Sequence, residues 1–145
     1  MKRATKGKVW VHKDDLPLYQ QLRVQPGMFG LPPMQDPPTF EPDFFLENGK
    51  PVTAGSIEGI AYHTPGHTPG SCSIYFAADK LVLTGDTLFE GSVGRSDFPG
   101  GSSKALANSI RSKLYTLPDD TRVICGHGDD TTIGNEKKYN MAVRP

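Results

Sequence analysis

The chain has 145 residues, 36% of them hydrophobic, with 16 Gly and 13 Pro, enough for one domain over residues 1–145 that buries roughly 68–70% of its unfolded surface. Its 16 basic and 16 acidic residues cancel and are interspersed, so no basic footprint for nucleic acid stands out. No apolar run reaches the length of a membrane span or a secretory leader. These features describe a soluble, cytoplasmic protein with no nucleic-acid or membrane partner, in which Cys72 and Cys125 are reduced thiols.

Along the chain, Lys8-Val9-Trp10-Val11-His12 predicts a short strand from its β-branched and aromatic content. Asp14 or Asp15 then caps a helix with Pro17 in its first turn and Leu18 and Leu22 one turn apart. The acids therefore have a structural job, and His12 is expected outside any metal pocket. Pro26 to Pro42 holds too many prolines for a helix or a central strand. It predicts a stiff connection, or a wall over a site. Phe44-Phe45-Leu46 followed by Asn48-Gly49 predicts a hairpin. Strands follow at Ile57 to Tyr62, Cys72 to Phe76 and Leu81 to Thr84, and a glycine-rich loop at Gly91 to Gly101. Ser102 or Ser103 caps a helix whose Leu106, Ile110 and Leu114 share a stripe, stopped by Leu117-Pro118. Arg122-Val123-Ile124 is a last strand, and Thr131 or Thr132 caps a closing helix with Glu136 in its first turn, where the dipole favours an acid. Strands in two groups flanked by helices predict an α/β layered fold.

Three stretches carry chemistry: His63-Thr64-Pro65-Gly66-His67-Thr68-Pro69-Gly70-Ser71, Thr84-Gly85-Asp86-Thr87-Leu88 and Cys125-Gly126-His127-Gly128. Each sets a metal-capable side chain among small residues just after a predicted strand. Imidazole and carboxylate are ligands of zinc, iron and manganese, and neighbouring glycine lets the backbone turn sharply toward a pocket.

These motifs, with Gly94-Arg95-Ser96-Asp97-Phe98 and Thr131-Thr132-Ile133-Gly134-Asn135-Glu136, resemble the metallo-β-lactamase-fold hydrolases and their glyoxalase II-like (hydroxyacylglutathione hydrolase-like) branch. The resemblance runs from about Gly7 to Asn140. It implies a partial four-layer αββα sandwich, mainly its C-terminal half. It also implies that His67 binds one metal, His127 a second, and Asp86 bridges both as the catalytic carboxylate. In the complete parent enzyme two zinc ions, or iron or manganese, would hydrolyse a thioester through a metal-bound hydroxide. His63, Thr68, Arg95 and Asp97 are candidates for orienting ligands or meeting substrate. For His63 the plainer reading is structural, and for Arg95 and Asp97 it is a mutual salt bridge. Thr68, Ser71, Thr84 and Thr87 carry hydroxyls beside the ligands.

The chain has four histidines, His12, His63, His67 and His127, and none forms the H-x-H-x-D-H segment that supplies most ligands in that family. The resemblance thus implies an N-terminally truncated domain whose activity alone is impaired. Two further readings are an iron-dependent persulfide dioxygenase-like enzyme, and a non-catalytic module that self-associates or binds a complementing N-terminal half. In the enzyme readings the partner is a small-molecule substrate.

Overall fold

A computed structural model of the chain describes residues 7–21, 27, 30, 32, 41–97 and 99–145. The chain divides into two compact units, Met1–Phe45 and Leu46–Pro145.

In the first unit, strand β1 (Trp10–His12) leads into a 3₁₀ turn (Lys13–Asp15) and the short helix α1 (Leu16–Gln20). Pro17 stands in the first turn of α1, as its fixed φ favours, but Asp15 at the cap position makes no side-chain cap bond. The preceding 3₁₀ turn is capped by His12, only 6% exposed, whose Nδ1 accepts the Asp14 N–H at 3.2 Å. Strand β2 (Phe44–Leu46) pairs with β1, and Trp10 stacks on Phe44 with ring centroids 4.4 Å apart. Leu22 and most of Pro26 to Pro42 lie outside the described residues. The Asn48-Gly49 turn forms, with Lys50 N–H bonded to Glu47 O at 3.1 Å and Gly49 at φ +77°. The expected hairpin does not form. The strands on either side of the turn take different partners, β2 going to β1 and β3 (Pro51–Ala54) to β4 (Ile57–His63).

The second unit is built on a six-stranded sheet in the order β10-β9-β6-β5-β4-β3. Strands β5 (Cys72–Phe76) and β6 (Leu81–Gly85) continue the antiparallel meander from β4, while β9 (Arg122–Cys125) lies parallel to β6 and antiparallel to β10 (Thr131–Thr132). A parallel neighbour needs a crossover. Here it consists of a small hairpin, β7 (Leu88–Phe89) and β8 (Ser92–Val93), then helix α2 (Ser103–Ser109) and a π-helical turn (Ile110–Leu114). Ser102 caps α2, its Oγ accepting the Ala105 N–H at 3.2 Å. The predicted stripe is the core: Leu106, Ile110 and Leu114 are buried with Val82 and Val123 of the sheet and Ile133 of the closing helix α3 (Ile133–Tyr139).

The π turn was not expected. Tyr115 N–H reaches Ile110 O at 2.8 Å, and the wider turn brings Tyr115 onto the buried face beside Ile110, where a regular 3.6-residue period would set it about 140° around the axis. Thr132 caps α3, accepting the Asn135 N–H at 3.2 Å.

Register places Tyr75, Val82 and Val123 on the helix side of the sheet, and Ala61, Ile74 and Leu83 on the other. One sheet with helices on one face is an α/β fold, half of a four-layer arrangement. No described helix is long and apolar enough to cross a membrane.

Candidate metal centre

Strand direction brings the three motifs together. β4 and β6 are both antiparallel to β5, and β9 is parallel to β6. Their C-terminal ends therefore open on the same sheet edge, and the loops carrying His67, Asp86 and His127 all leave from there.

Backbone bonds fix each loop. Thr64 N–H donates to Ser71 O at 2.8 Å, Gly66 N–H to Thr68 O at 3.0 Å and Ser102 N–H to Gly66 O at 2.8 Å, which ties the His67 loop to the start of α2. Thr87 N–H closes the Asp86 turn onto Thr84 O at 3.0 Å, and Gly126 N–H to Gly85 O at 2.9 Å holds the His127 loop beside it. The neighbouring hydroxyls brace these loops. Thr68 Oγ1 meets Ser71 Oγ at 2.8 Å, Thr84 donates to Leu88 O at 2.9 Å, and Thr87 Oγ1 lies 3.3 Å from Thr64 Oγ1. Cys125, which forms no disulfide, donates to His127 O at 3.1 Å.

Asp86 lies between the two histidines. Its Oδ2 is 3.4 Å from His67 Nε2 and its Oδ1 is 3.6 Å from His127 Nε2. His67 Nδ1 sits 2.8 Å from the carbonyl of Arg95. A carbonyl only accepts, so Nδ1 carries the proton, and in the neutral ring the lone pair is on Nε2, the nitrogen that faces Asp86. Ligand atoms on one tetrahedral zinc stand about 3.3 Å apart, from bond lengths near 2.0–2.1 Å. The two observed separations are close to that value, and the donor set of imidazole and carboxylate suits a divalent cation.

Two glycines leave room for this arrangement. A β-carbon on Gly94 would fall 1.8 Å from Asp86 O and 3.4 Å from His67 Nδ1, and one on Gly126 would fall 2.4 Å from Asp86 Oδ1. Phe89 stacks on the His127 ring with centroids 4.7 Å apart. Gly94 lies in the Gly94-Arg95-Ser96-Asp97-Phe98 motif, but neither its role nor those of the Arg95 carbonyl and Phe89 followed from the sequence. Glycine beside a ligand motif was the one available signal, because the other two act through a backbone atom and a cross-loop contact.

The remaining residues take other positions. His63, at the end of β4, places Nε2 2.8 Å from Pro69 O and bonds its N–H to Asn48 Oδ1 at 3.1 Å, within the loop framework. Arg95 and Asp97 form a forked pair, at 3.0 Å from Nε and 3.2 Å from Nη2. That bonding raises the guanidinium pKa and holds the carboxyl below its usual value. Both side chains are exposed, and the guanidinium fork is engaged with Asp97.

The family described as the metallo-beta-lactamase superfamily matches residues 1–127. A Haemophilus influenzae protein named hydroxyacylglutathione hydrolase GloC is 42% identical over 124 residues, covering 85% of this chain and 57% of the relative. Among solved structures, the BLEG-1 B3 metallo-beta-lactamase superposes with TM-score 0.86 at 34% identity, covering 97% of this chain and 66% of that one. TTHA1623 in a di-iron-bound form gives TM-score 0.82 at 38% identity, covering 97% and 67%. The chain spans about half the length of the curated relatives it matches.

Proposed function

The chain belongs to the metallo-beta-lactamase superfamily, and from that premise we propose that His67, Asp86 and His127 contribute part of the metal site of a hydrolase of the glyoxalase II type, which in its complete form acts on thioesters. The observation that carries this reading is the carboxylate of Asp86, with one oxygen toward each imidazole. So placed, it can be shared between two cations, His67 serving one and His127 the other. Zinc, iron and manganese all suit such donors. When bound, the metal would supply an activated water at neutral pH and polarise the thioester carbonyl.

The chain's own residues position and expose this centre. The Arg95 carbonyl orients His67, and Gly94 and Gly126 keep the space beside Asp86 clear. The His127 side chain is 73% exposed against 24% for His67. The relative named hydroxyacylglutathione hydrolase supports a thioester, and the di-iron-bound neighbour supports iron as an alternative to zinc.

The test is metal content after dialysis against zinc, iron or manganese. Asp86→Ala should drop retained metal to background. Equal retention by that variant and the unaltered chain would overturn the ligand assignment. Iron loading with oxygen uptake, rather than zinc loading with thioester cleavage, would favour the persulfide dioxygenase-like reading.

A further inference from the structure

We infer that Phe89 is a positioning residue for His127, and that the buried carboxylate of Glu136 holds the β7–β8 hairpin that presents it. The metal arm of this inference rests on the ligand role proposed above, and the ring and amide readouts do not.

His127 sits between two glycines on a loop, with its side chain 73% exposed. The bonds from Gly126 N–H to Gly85 O and from the Cys125 thiol to His127 O tie the backbone of this loop but not the ring, so the direction of Nε2 has to come from contacts of the ring. One is the Asp86 oxygen, and the other is the stacked face of Phe89, inclined at 27°. Phe89 ends a strand of two residues in a hairpin of two such strands. A hairpin this short does not hold its own shape.

Glu136 supplies the anchor. It is fully buried, and its carboxylate accepts from Thr131 Oγ1 at 2.7 Å, Asn135 Nδ2 at 3.3 Å, Asn140 Nδ2 at 2.7 Å and the Gly91 N–H at 3.0 Å. Gly91 lies in the hairpin turn between β7 and β8. Asn140, also fully buried, donates from the same amide to Ser92 O at 3.0 Å, gripping the returning strand. All four donors to the carboxylate are neutral. Burying a carboxylate costs several kcal/mol unless its lone pairs are met, and of the side chains that meet them Asn135 belongs to α3 itself and Asn140 is its C-cap residue. The network joins the closing helix to the turn that carries Phe89.

The experiment uses the unaltered chain with Phe89→Leu, Phe89→Tyr and Glu136→Gln. In the unaltered chain, nuclear Overhauser contacts should join the Phe89 and His127 rings, and the Gly91 amide should exchange far more slowly than the neighbouring turn amides. Glu136→Gln, with its fold checked by amide dispersion, should lose the ring contacts. Cobalt affinity should fall on the order of ten-fold in Phe89→Leu, as for other groups that orient a ligand, and return in Phe89→Tyr, which keeps the ring. Unchanged cobalt affinity in Phe89→Leu would overturn the positioning role. Rapid exchange at Gly91 would overturn the clamp, and it decides the matter even if Glu136→Gln does not fold. Failure of every chain to bind cobalt, with ring contacts intact in the unaltered chain and lost in Glu136→Gln, would count against the metal reading and support the positioning one.

Discussion

Asp86 Oδ1 occupies space that a β-carbon on Gly126 would enter, at 2.4 Å, whereas a β-carbon on Gly94 would meet the Asp86 backbone oxygen, at 1.8 Å. The two clashes have different consequences. A carboxylate can swing away by rotating about its own side-chain bonds, so Gly126→Ala should fold normally and lose metal affinity by about 10–100-fold. A backbone carbonyl in a closed turn cannot, so Gly94→Ala should destabilise the chain by about 1–3 kcal/mol, the usual cost of overpacking. Dialysis and urea unfolding of both variants check this pairing, and it fails if Gly126→Ala retains metal like the unaltered chain. The convergence of His67, Asp86 and His127 was legible in the sequence, since each follows a strand within a small-residue motif and the motifs together resemble one family. The orientation of the His67 ring was not, because it depends on a backbone carbonyl at Arg95, and every residue has one.

At the scale of elements, Tyr115 shows how a local pattern is overridden. Its hydroxyl shares its one proton between Glu136 O at 3.2 Å and Val143 O at 3.1 Å, and the π turn carries it there. Burial, followed by the nearby Glu136 charge, pushes its pKa up to about 12 from 10.0. Folded and unfolded chains both keep the proton below pH 10, so nothing is lost there. Between pH 10 and about 12 the unfolded chain releases the proton first, and stability falls by at most about 2–3 kcal/mol at 1.36 kcal/mol per unit. Tyr115→Phe should lack this alkaline loss but be about 1–2 kcal/mol less stable at neutral pH, because the Val143 carbonyl loses the hydroxyl while Glu136 O keeps the Asn140 N–H. Urea midpoints for both chains from pH 8 to 12 check the difference, and parallel curves would show that Tyr115 is not the titrating group. The capped α2 with its Leu106, Ile110 and Leu114 stripe was legible, as were the central strands, because period and cap chemistry are local. The π turn, the β7–β8 hairpin and the parting of β2 from β3 were not. Each depends on a partner far away in sequence: the Glu136 and Val143 carbonyls, Glu136 with Asn140, and β1.

For the whole molecule, the sheet of the second unit is covered by helices on the side of Val82 and Val123, while the opposite side carries Leu83 at 38% exposure and, on β4, Ile57 at 51%. β3 forms an edge of that sheet. Exposed apolar faces and unpaired edges promote association, so we propose that residues 1–145 self-associate or accept a complementing segment. Sedimentation showing a monodisperse, cooperatively melting monomer would overturn that. The same 145 residues bear on activity, because they contain four histidines and no H-x-H-x-D-H segment. His67, Asp86 and His127 put one imidazole on each side of the carboxylate, which is too few donors to hold two cations at ordinary coordination. The Cys125 thiol beside His127 is spent on the His127 carbonyl and is not poised as a replacement nucleophile. Residues 1–145 by themselves should therefore show no zinc-dependent thioester hydrolysis above background. A chain carrying an H-x-H-x-D-H segment upstream should gain it and lose it again on His67→Ala. Both chains are to be assayed on a panel of thioesters at controlled metal. Chelator-sensitive turnover by residues 1–145 alone would mean that these three ligands suffice, and that a single cation held at Asp86 does the chemistry assigned here to two.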